Sequence, residues 1–229
     1  MTRRTDIHPD LTRAEVRAPS FSTWRVGTPE RQRAAVEAIA GVWQRRDWPA
    51  AGGLGYYVYT GHDGTTLLHH AQWAGEQDYA AFVKTRRQER VDEIDIAVPG
   101  IERVALDHYT RYRSRERAAG DERVPGLIVT VRVDFEGGAA DRRREWVDLV
   151  MDAGTEDVES DRGLISAHFH LGKDGTHVLN YAEWESPESY DVAIADQTPT
   201  PAWERVKAFP GLKAFTGSRY DYALGLVPD

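Results

Sequence analysis

Apolar residues alternate with polar ones in extended runs, and between these runs they recur at helical spacing. The first half of the chain begins this succession with FSTWRV (21–26), a run typical of a strand. The stretch 29–46 then carries apolar residues three and four positions apart, and Pro29 stands where a helix would begin. The pattern therefore predicts a strand followed by a helix.

The second half repeats this succession and continues it. It begins with the apolar run LIVTVRV (127–133). Its hairpin consists of GLISAHFHL (163–171), the turn GKDG and THVLNYAEW (176–184), with glycine and aspartate supplying the turn residues. A short helix opening at SPESY, a helical stretch over 201–209 and a last strand from Gly211 follow. The predicted order is βαββαβ, the ferredoxin-like arrangement.

An internal repeat connects the two halves. DGTTLLHHAQWAGEQDY (63–79) aligns without a gap on DGTHVLNYAEWESPESY (174–190), at an offset of 111 residues, and seven of the 17 positions are identical. This period is too long for a solenoid unit. We therefore predict an α+β chain of two homologous ferredoxin-like domains, 16–113 and 124–225, joined by the charged linker SRERAAGDER. Because helices would cover one face of each sheet, we expect the two bare faces to cover each other.

The second hairpin also predicts which side chains share a face. A pairing of Leu171 with Thr176 makes partner numbers sum to 347 and puts Asn180, Phe169 and Trp184 on one face. That face is apolar and helix-covered, and it holds a single amide. The opposite face, with its counterpart in the first half, collects histidine and aromatic residues, which we expect to form a layer between the sheets. These residues are His168, His170, His177, Tyr181, Tyr57, Tyr59 and His70.

Composition excludes several classes of protein. With 229 residues, 41% of them hydrophobic, the chain can bury a core, and without cysteine it has no disulfide, thiolate metal site or cysteine nucleophile. A net charge of −8 with no basic stripe argues against nucleic acid and membranes as partners. The chain has no apolar run of about 18 residues and no leader-like start, so we expect a cytoplasmic protein.

The pattern Asn180-x-x-x-Trp184-x5-Tyr190, followed by Arg205 and by Phe-Pro-Gly before the final strand, resembles the antibiotic biosynthesis monooxygenase family. The resemblance extends over both copies. It implies a dimeric α+β barrel of two ferredoxin-like units, here fused in one chain, with a pocket between each sheet and its helices. Quinone-forming members oxidise aromatic polyketide anthrones with O₂ alone. The resemblance thus implies a monooxygenase that uses no metal, flavin or haem cofactor.

The resemblance also implies a role for each matching residue. Asn180 and Trp184 would donate hydrogen bonds to the substrate oxygen where charge develops. Tyr190 would bind the substrate or a peroxide, Arg205 would stabilise the anionic intermediate, and Phe169 would contact the substrate.

In the first copy, His69, Trp73 and Tyr79 hold the positions of Asn180, Trp184 and Tyr190, and they are predicted to bind substrate. Because the amide is replaced, we expect two unequal pockets, with the chemistry in the C-terminal one. A neutral imidazole at position 69 can still donate one hydrogen bond or act as a base, which leaves a working N-terminal site open.

Other functions remain open. The same fold can hold a polyketide without oxidising it, as a binding or cyclase-like module. The cross-strand residues His168, His170 and His177 suggest a metal site, although interface packing is the commoner role for such histidines. A haem-degrading relative would need a histidine about ten residues after the strand tryptophan, where this chain has Val83 and Ile194. A homo-oligomer of the tandem chain is also open.

Overall fold

A computed structural model describes residues 1–49, 51–137, 140–156, 163–195 and 200–229. They form two units. The N-terminal unit consists of Met1–Tyr109 and Tyr220–Asp229, and the C-terminal unit consists of Thr110–Arg219. That residues 16–113 and 124–225 are homologous copies is a statement about the origin of these units, and it stays a prediction.

Both halves of the chain contain strands and helices in the order that the apolar pattern indicates, and the α+β prediction is confirmed. The first half contains β1 (Thr2–Thr5), β2 (Ser20–Arg25), α1 (Pro29–Gln44), β3 (Gly53–Gly61), β4 (Thr66–Trp73), α2 (Glu76–Phe82), α3 (Gln88–Ala97) and β5 (Glu102–Arg115). The second contains β6 (Leu127–Phe135), α4 (Ala140–Glu156), β7 (Leu164–Gly172), β8 (His177–Trp184), α5 (Pro187–Ala195), α6 (Pro201–Lys207) and β9 (Leu212–Pro228).

Helix α1 begins where the sequence pattern places its start. The Thr28 side chain accepts a hydrogen bond from the backbone N–H of Arg31, and Pro29 occupies the first turn, where its missing N–H costs nothing. The helix buries one face, on which Val36 and Ile39 lie among residues of β2, β3 and β4. This burial holds the helix on one side of the sheet.

The sheet of the N-terminal unit has the strand order β1-β9-β3-β4-β2-β5, and its measured pairs are antiparallel. Val58 is the partner of His69, and Tyr57 is the partner of His70. His69 therefore points to the helix-covered face and His70 to the other, as the alternation predicts. The strand β1 and a π-helical turn at Val83–Arg87, between α2 and α3, have no counterpart in the predicted pattern.

In the C-terminal unit, β8 lies between β7 and β6, and the predicted register of the hairpin is wrong by two residues. Leu171 pairs with Val178, so partner numbers sum to 349 rather than 347, and Asn180 faces Phe169. The turn explains the shift, because the Asp174 carboxylate accepts the Thr176 backbone N–H at 2.9 Å and its hydroxyl at 2.7 Å. Since the shift is even, every side chain keeps its predicted face.

Helices cover the face of β8 that carries Val178 and Trp184, which pack with Trp146 of α4 in the second core. The opposite face is buried as well, and hydrogen bonds connect its polar groups. Nδ1 of His168 is 2.9 Å from the Ser114 hydroxyl, and the Ser166 hydroxyl donates to Glu183 at 2.8 Å. The expected layer between two sheets stays a prediction. Among the described helices, none has the length and apolar character needed to cross a membrane.

Candidate active site

The C-terminal unit contains a cavity of about 710 Å³ between the helix-covered face of its sheet and its helices. Its walls are mainly apolar and aromatic. The sheet contributes Val129, Val131, Ala167, Phe169, Asn180, Ala182 and Trp184, and the helices contribute Trp146, Val150, Met151, Gly154, Tyr190, Ala193, Trp203 and Val206. This is the C-terminal cavity, and it lies where the resemblance implies a pocket.

Asn180 and Trp184 both line this cavity because they are four positions apart on β8 and therefore share a face. Oδ1 of Asn180 and Nε1 of Trp184 are buried, and neither has a hydrogen-bond partner among the described residues. A buried polar atom without a partner costs about 1–3 kcal/mol. The site thus offers a ligand one donor, Nε1 of Trp184, and one acceptor, Oδ1 of Asn180, whereas the resemblance implies that Asn180 donates.

Tyr190 also lines the cavity, at the second turn of α5. Its ring meets that of Trp184 edge to face, with centroids 5.1 Å apart. The guanidinium of Arg219 lies 4.7 Å from the centre of the Tyr190 ring and also contacts Asp191 at 2.7 Å. Burial raises the pKa of Tyr190, so the phenol stays protonated at neutral pH and acts as a hydrogen-bond donor.

Phe169 lines the cavity opposite Asn180, as its predicted contact with substrate requires. Trp146 meets its ring edge to face at 6.5 Å and also contacts Phe215 at 6.1 Å. The Trp146 indole N–H donates to the backbone carbonyl of Val206 at 3.3 Å. These aromatic rings give the cavity broad flat surfaces suited to a planar ligand.

Arg205 is exposed on α6 and is not among the residues that line the cavity. The geometry gives its predicted role no support. The cations that do line the cavity are Lys207 and Arg115. Helical spacing identifies Lys207, because Trp203, Val206 and Lys207 stand at i, i+3 and i+4 and so share a face. The sequence gives no comparable signal for Arg115, because it is the last residue of the long strand β5.

The N-terminal unit contains a smaller cavity, of about 240 Å³, and the residues that line it include His69, Trp73 and Tyr79. Trp73 and Tyr79 meet edge to face at 5.7 Å, which repeats the Trp184–Tyr190 pair. The Tyr56 hydroxyl lies 2.7 Å from Nδ1 of His69. Burial, and secondarily the charge of Arg103, lowers the pKa of His69 to about 3, so its ring is neutral at physiological pH.

Two substitutions explain the difference in volume. At the offset of 111 residues, Tyr56 corresponds to Ala167 and Trp43 corresponds to Gly154. The two large residues line the N-terminal cavity, and the two small ones line the C-terminal cavity. Trp43 and Tyr56 stack with their centroids 4.6 Å apart. This pair fills space that stays open in the C-terminal unit.

The histidines on the opposite sheet face do not gather into a metal centre. His168 contacts hydroxyl groups, and His177 lies 3.1 Å from the Asp174 carboxylate. Within the described ranges, no group of three or more histidine, aspartate or glutamate side chains could hold a metal ion.

Comparison with known proteins identifies the class. Tetracenomycin F1 monooxygenase from Streptomyces glaucescens is 32% identical to this chain over 80 residues, which are 35% of the chain and 70% of that enzyme. The chain belongs to the antibiotic biosynthesis monooxygenase family. No protein-family model matches it.

Solved structures share the fold at lower identity. An anthrone oxidase-like protein superimposes with a TM-score of 0.70 at 16% identity, covering 91% of this chain and 92% of that one. A mutant chlorite dismutase from Candidatus Nitrospira defluvii gives a TM-score of 0.56 at 14% identity, with 93% of both chains covered. At these identities the likeness concerns the fold alone.

Proposed function

We propose that the C-terminal cavity binds an aromatic polyketide anthrone, or a similar polycyclic phenol, and that the protein oxidises it to a quinone with O₂. The observation that carries this proposal is the unpartnered pair, Oδ1 of Asn180 and Nε1 of Trp184, in a cavity of about 710 Å³. Small-molecule pockets commonly measure about 300–1,000 Å³. The names of two similar proteins, tetracenomycin F1 monooxygenase and an anthrone oxidase-like protein, favour the same class of substrate.

The reaction requires no reductant beyond the substrate. The anthrone methylene loses a proton to give an enolate, which passes one electron to O₂. The resulting radical and superoxide combine, and protonation gives a hydroperoxide. Loss of water then breaks the O–O bond and the remaining C–H bond and leaves a carbonyl. One oxygen atom enters the product, the other leaves as water, and the substrate supplies all four electrons. This balance supports cofactor independence.

The residues of the cavity suit an enolate. The Trp184 N–H donates to the oxygen on which negative charge develops, and Oδ1 of Asn180 accepts a neighbouring phenolic O–H. The protonated Tyr190 supplies a second donor beside Trp184. Lys207 and Arg115 add positive charge at the cavity wall, which favours the anion over the neutral phenol.

We also propose that the chain is a tandem of two ferredoxin-like copies, 16–113 and 124–225. The repeated Trp–Tyr contacts, Trp73 with Tyr79 and Trp184 with Tyr190, support a common origin. In this proposal the C-terminal copy keeps the oxidation site, and the N-terminal copy has diverged.

The test is oxygen uptake by the purified chain with 1,8-dihydroxyanthrone, measured above the rate of the buffer without protein. We expect quinone formation that needs no added flavin, haem or reductant and that persists with a chelator. Asn180→Ala should lower the rate, and Arg205→Ala, on the exposed side of α6, is the matched control. Activity that disappears with chelator, or that depends on flavin and a reductant, would contradict the proposal. Tight binding without oxygen uptake would favour the cyclase-like alternative.

A further inference from the structure

We propose that the N-terminal cavity is a second ligand site, which binds a single-ring aromatic carboxylate. Four of the residues that line it carry a buried N–H nitrogen with no hydrogen-bond partner among the described residues. These atoms, the donor cluster, are Nε2 of His69, Nε1 of Trp73, Nε of Arg90 and Nε of Arg103. Buried polar groups in native proteins are nearly always hydrogen-bonded, so four orphan nitrogens around one cavity indicate a missing acceptor.

The contact with Tyr56 makes Nε2 of His69 a donor. Burial raises the pKa of Tyr56, so its phenol keeps its proton. Nδ1 of His69 is the one partner of that hydroxyl within the described part of the chain, at 2.7 Å. The O–H therefore donates to Nδ1, and the neutral ring carries its proton on Nε2. All four nitrogens then require an acceptor.

Arg90 makes the cavity positive. Arg90 is 3% exposed, and its terminal nitrogens donate to the backbone carbonyls of Arg86, at 3.0 Å, and Asp47, at 2.6 Å. These are neutral acceptors, and the guanidinium also lies 5.0 Å from the centre of the Trp43 ring. The nearby carboxylate of Glu93 is bound by Arg46. The charge of Arg90 is thus poorly compensated, which favours an anionic ligand.

Arg103 contributes in a different way. Its terminal nitrogens bind the Asp95 carboxylate at 3.1 and 2.8 Å, and its guanidinium lies 4.7 Å from the centre of the Trp24 ring. These contacts fix the guanidinium, and Nε is its buried nitrogen without a hydrogen-bond partner among the described residues. An oxygen atom of a ligand can accept from Nε without displacing Asp95.

Size and wall chemistry select the class of anion. A cavity of about 240 Å³ suits one aromatic ring, since cavities of about 150 Å³ bind benzene. The stacked Trp43 and Tyr56 leave no room for a fused polycycle. A carboxylate has about four lone-pair sites, which matches four donors, and a benzoate ring would pack against the aromatic walls.

This site is separate in chemistry from the proposed oxidation site. At the offset of 111 residues, Arg90 and Arg103 correspond to Pro201 and Ala214, so the C-terminal copy has no equivalent of these two arginines. Its orphan atoms are one acceptor and one donor, which suit a phenol rather than a carboxylate. Binding in the N-terminal cavity therefore does not depend on whether the protein oxidises anthrones.

Calorimetric titration with benzoate and with neutral benzamide tests the proposal. We expect saturable one-site binding of benzoate and binding of benzamide weaker by at least about tenfold, because the amide lacks the charge that Arg90 favours. Trp73→Phe removes one donor and keeps the ring, and should weaken benzoate binding by about tenfold or more. Its matched control, Trp184→Phe, should leave benzoate binding unchanged.

A second pair of variants covers the case in which Trp73→Phe alters folding. Ala71 and Ala182 are equivalent positions that line the two cavities. Ala71→Phe should block benzoate binding by filling the N-terminal cavity, whereas Ala182→Phe should not. The absence of saturable benzoate binding to the native chain would overturn the proposal. Equal affinity for benzoate and benzamide would also overturn it. The same holds if benzoate binding is lost in Trp184→Phe and Ala182→Phe but kept in Trp73→Phe and Ala71→Phe.

Discussion

The hydroxyl of Tyr56 lies 2.7 Å from Nδ1 of His69, across β3 and β4 of the N-terminal unit. Ala167 and Asn180 stand at the equivalent positions of the C-terminal unit. One unit thus places a hydrogen-bonded pair of rings where the other has a methyl group and a free amide oxygen. This exchange accounts for part of the difference between cavities of about 240 and 710 Å³.

The buried imidazole makes stability depend on pH. The pKa of His69 is lowered to about 3 in the folded protein, from 6.5 in the reference state, so the unfolded chain binds the extra proton between these values. The stabilising contribution is therefore full above about pH 6.5 and is lost as the pH falls toward 3. At pH 5 the loss from this residue is about 2 kcal/mol.

Urea unfolding of the native chain and of His69→Asn checks this expectation. The amide does not titrate, so the difference in free energy of unfolding between the two proteins should shrink by about 2 kcal/mol from pH 7.5 to pH 5. Both proteins contain His108, so its contribution to the pH dependence of the free energy of unfolding cancels in the difference. A constant difference across this range would show that His69 titrates normally in the folded state.

The sequence predicts the elements and faces of the hairpins well, because alternation depends on each strand alone. It fails on the register of β7 and β8, because the four-residue turn between them covers 173–176 rather than 172–175. Asp174 binds Thr176 within this turn, a side-chain contact that alternation does not encode. The family resemblance implies Arg205, whereas the packing of α6 decides which of its sides meets the cavity.

The sequence pattern does not predict the volumes of the cavities either. They depend on pairs such as Trp43 and Tyr56, which lie on a helix and a strand and meet only in the folded unit. Each residue by itself resembles ordinary core. The offset of 111 residues identifies their small counterparts, but only the structure shows that both line the same cavity.

The two units should respond unequally to loss of the polar residues at position 180 and at position 69, 111 residues earlier. Asn180→Ala removes the buried acceptor of the C-terminal cavity and should lower kcat/KM for 1,8-dihydroxyanthrone by about tenfold, since a buried polar group that loses its partner costs about 1–3 kcal/mol. His69→Ala should change kcat/KM by less than about threefold. Circular dichroism of both variants controls for folding. If His69→Ala lowers the rate as much as Asn180→Ala, the N-terminal cavity is also an oxidation site.

Filling the larger cavity should abolish oxidation without unfolding the protein. Ala167→Tyr introduces on β7 the ring that Tyr56 supplies on β3, and the introduced hydroxyl can donate to Oδ1 of Asn180. We expect an unchanged or higher melting temperature, because an orphan acceptor gains a partner, and a fall in kcat/KM of at least about 100-fold. A variant that keeps both its melting temperature and its activity would show that the substrate binds elsewhere.

The cation beside the substrate should be Lys207 rather than Arg205. Lys207 lines the cavity and contacts the Glu204 carboxylate at 3.7 Å, whereas Arg205 is exposed outside the cavity. Because the Lys207 side chain is more than half exposed, solvent screens its charge, and Lys207→Met should raise KM by about three- to tenfold with a smaller change in kcat. The effect should weaken in 0.5 M salt, since an exposed charge acts over a distance that salt shortens. Arg205→Met is the matched control, one position short of the face that meets the cavity, and should leave KM unchanged at both salt concentrations. A larger effect from Arg205→Met would restore the role that the family resemblance implies and would mean that α6 turns its other side to the bound substrate.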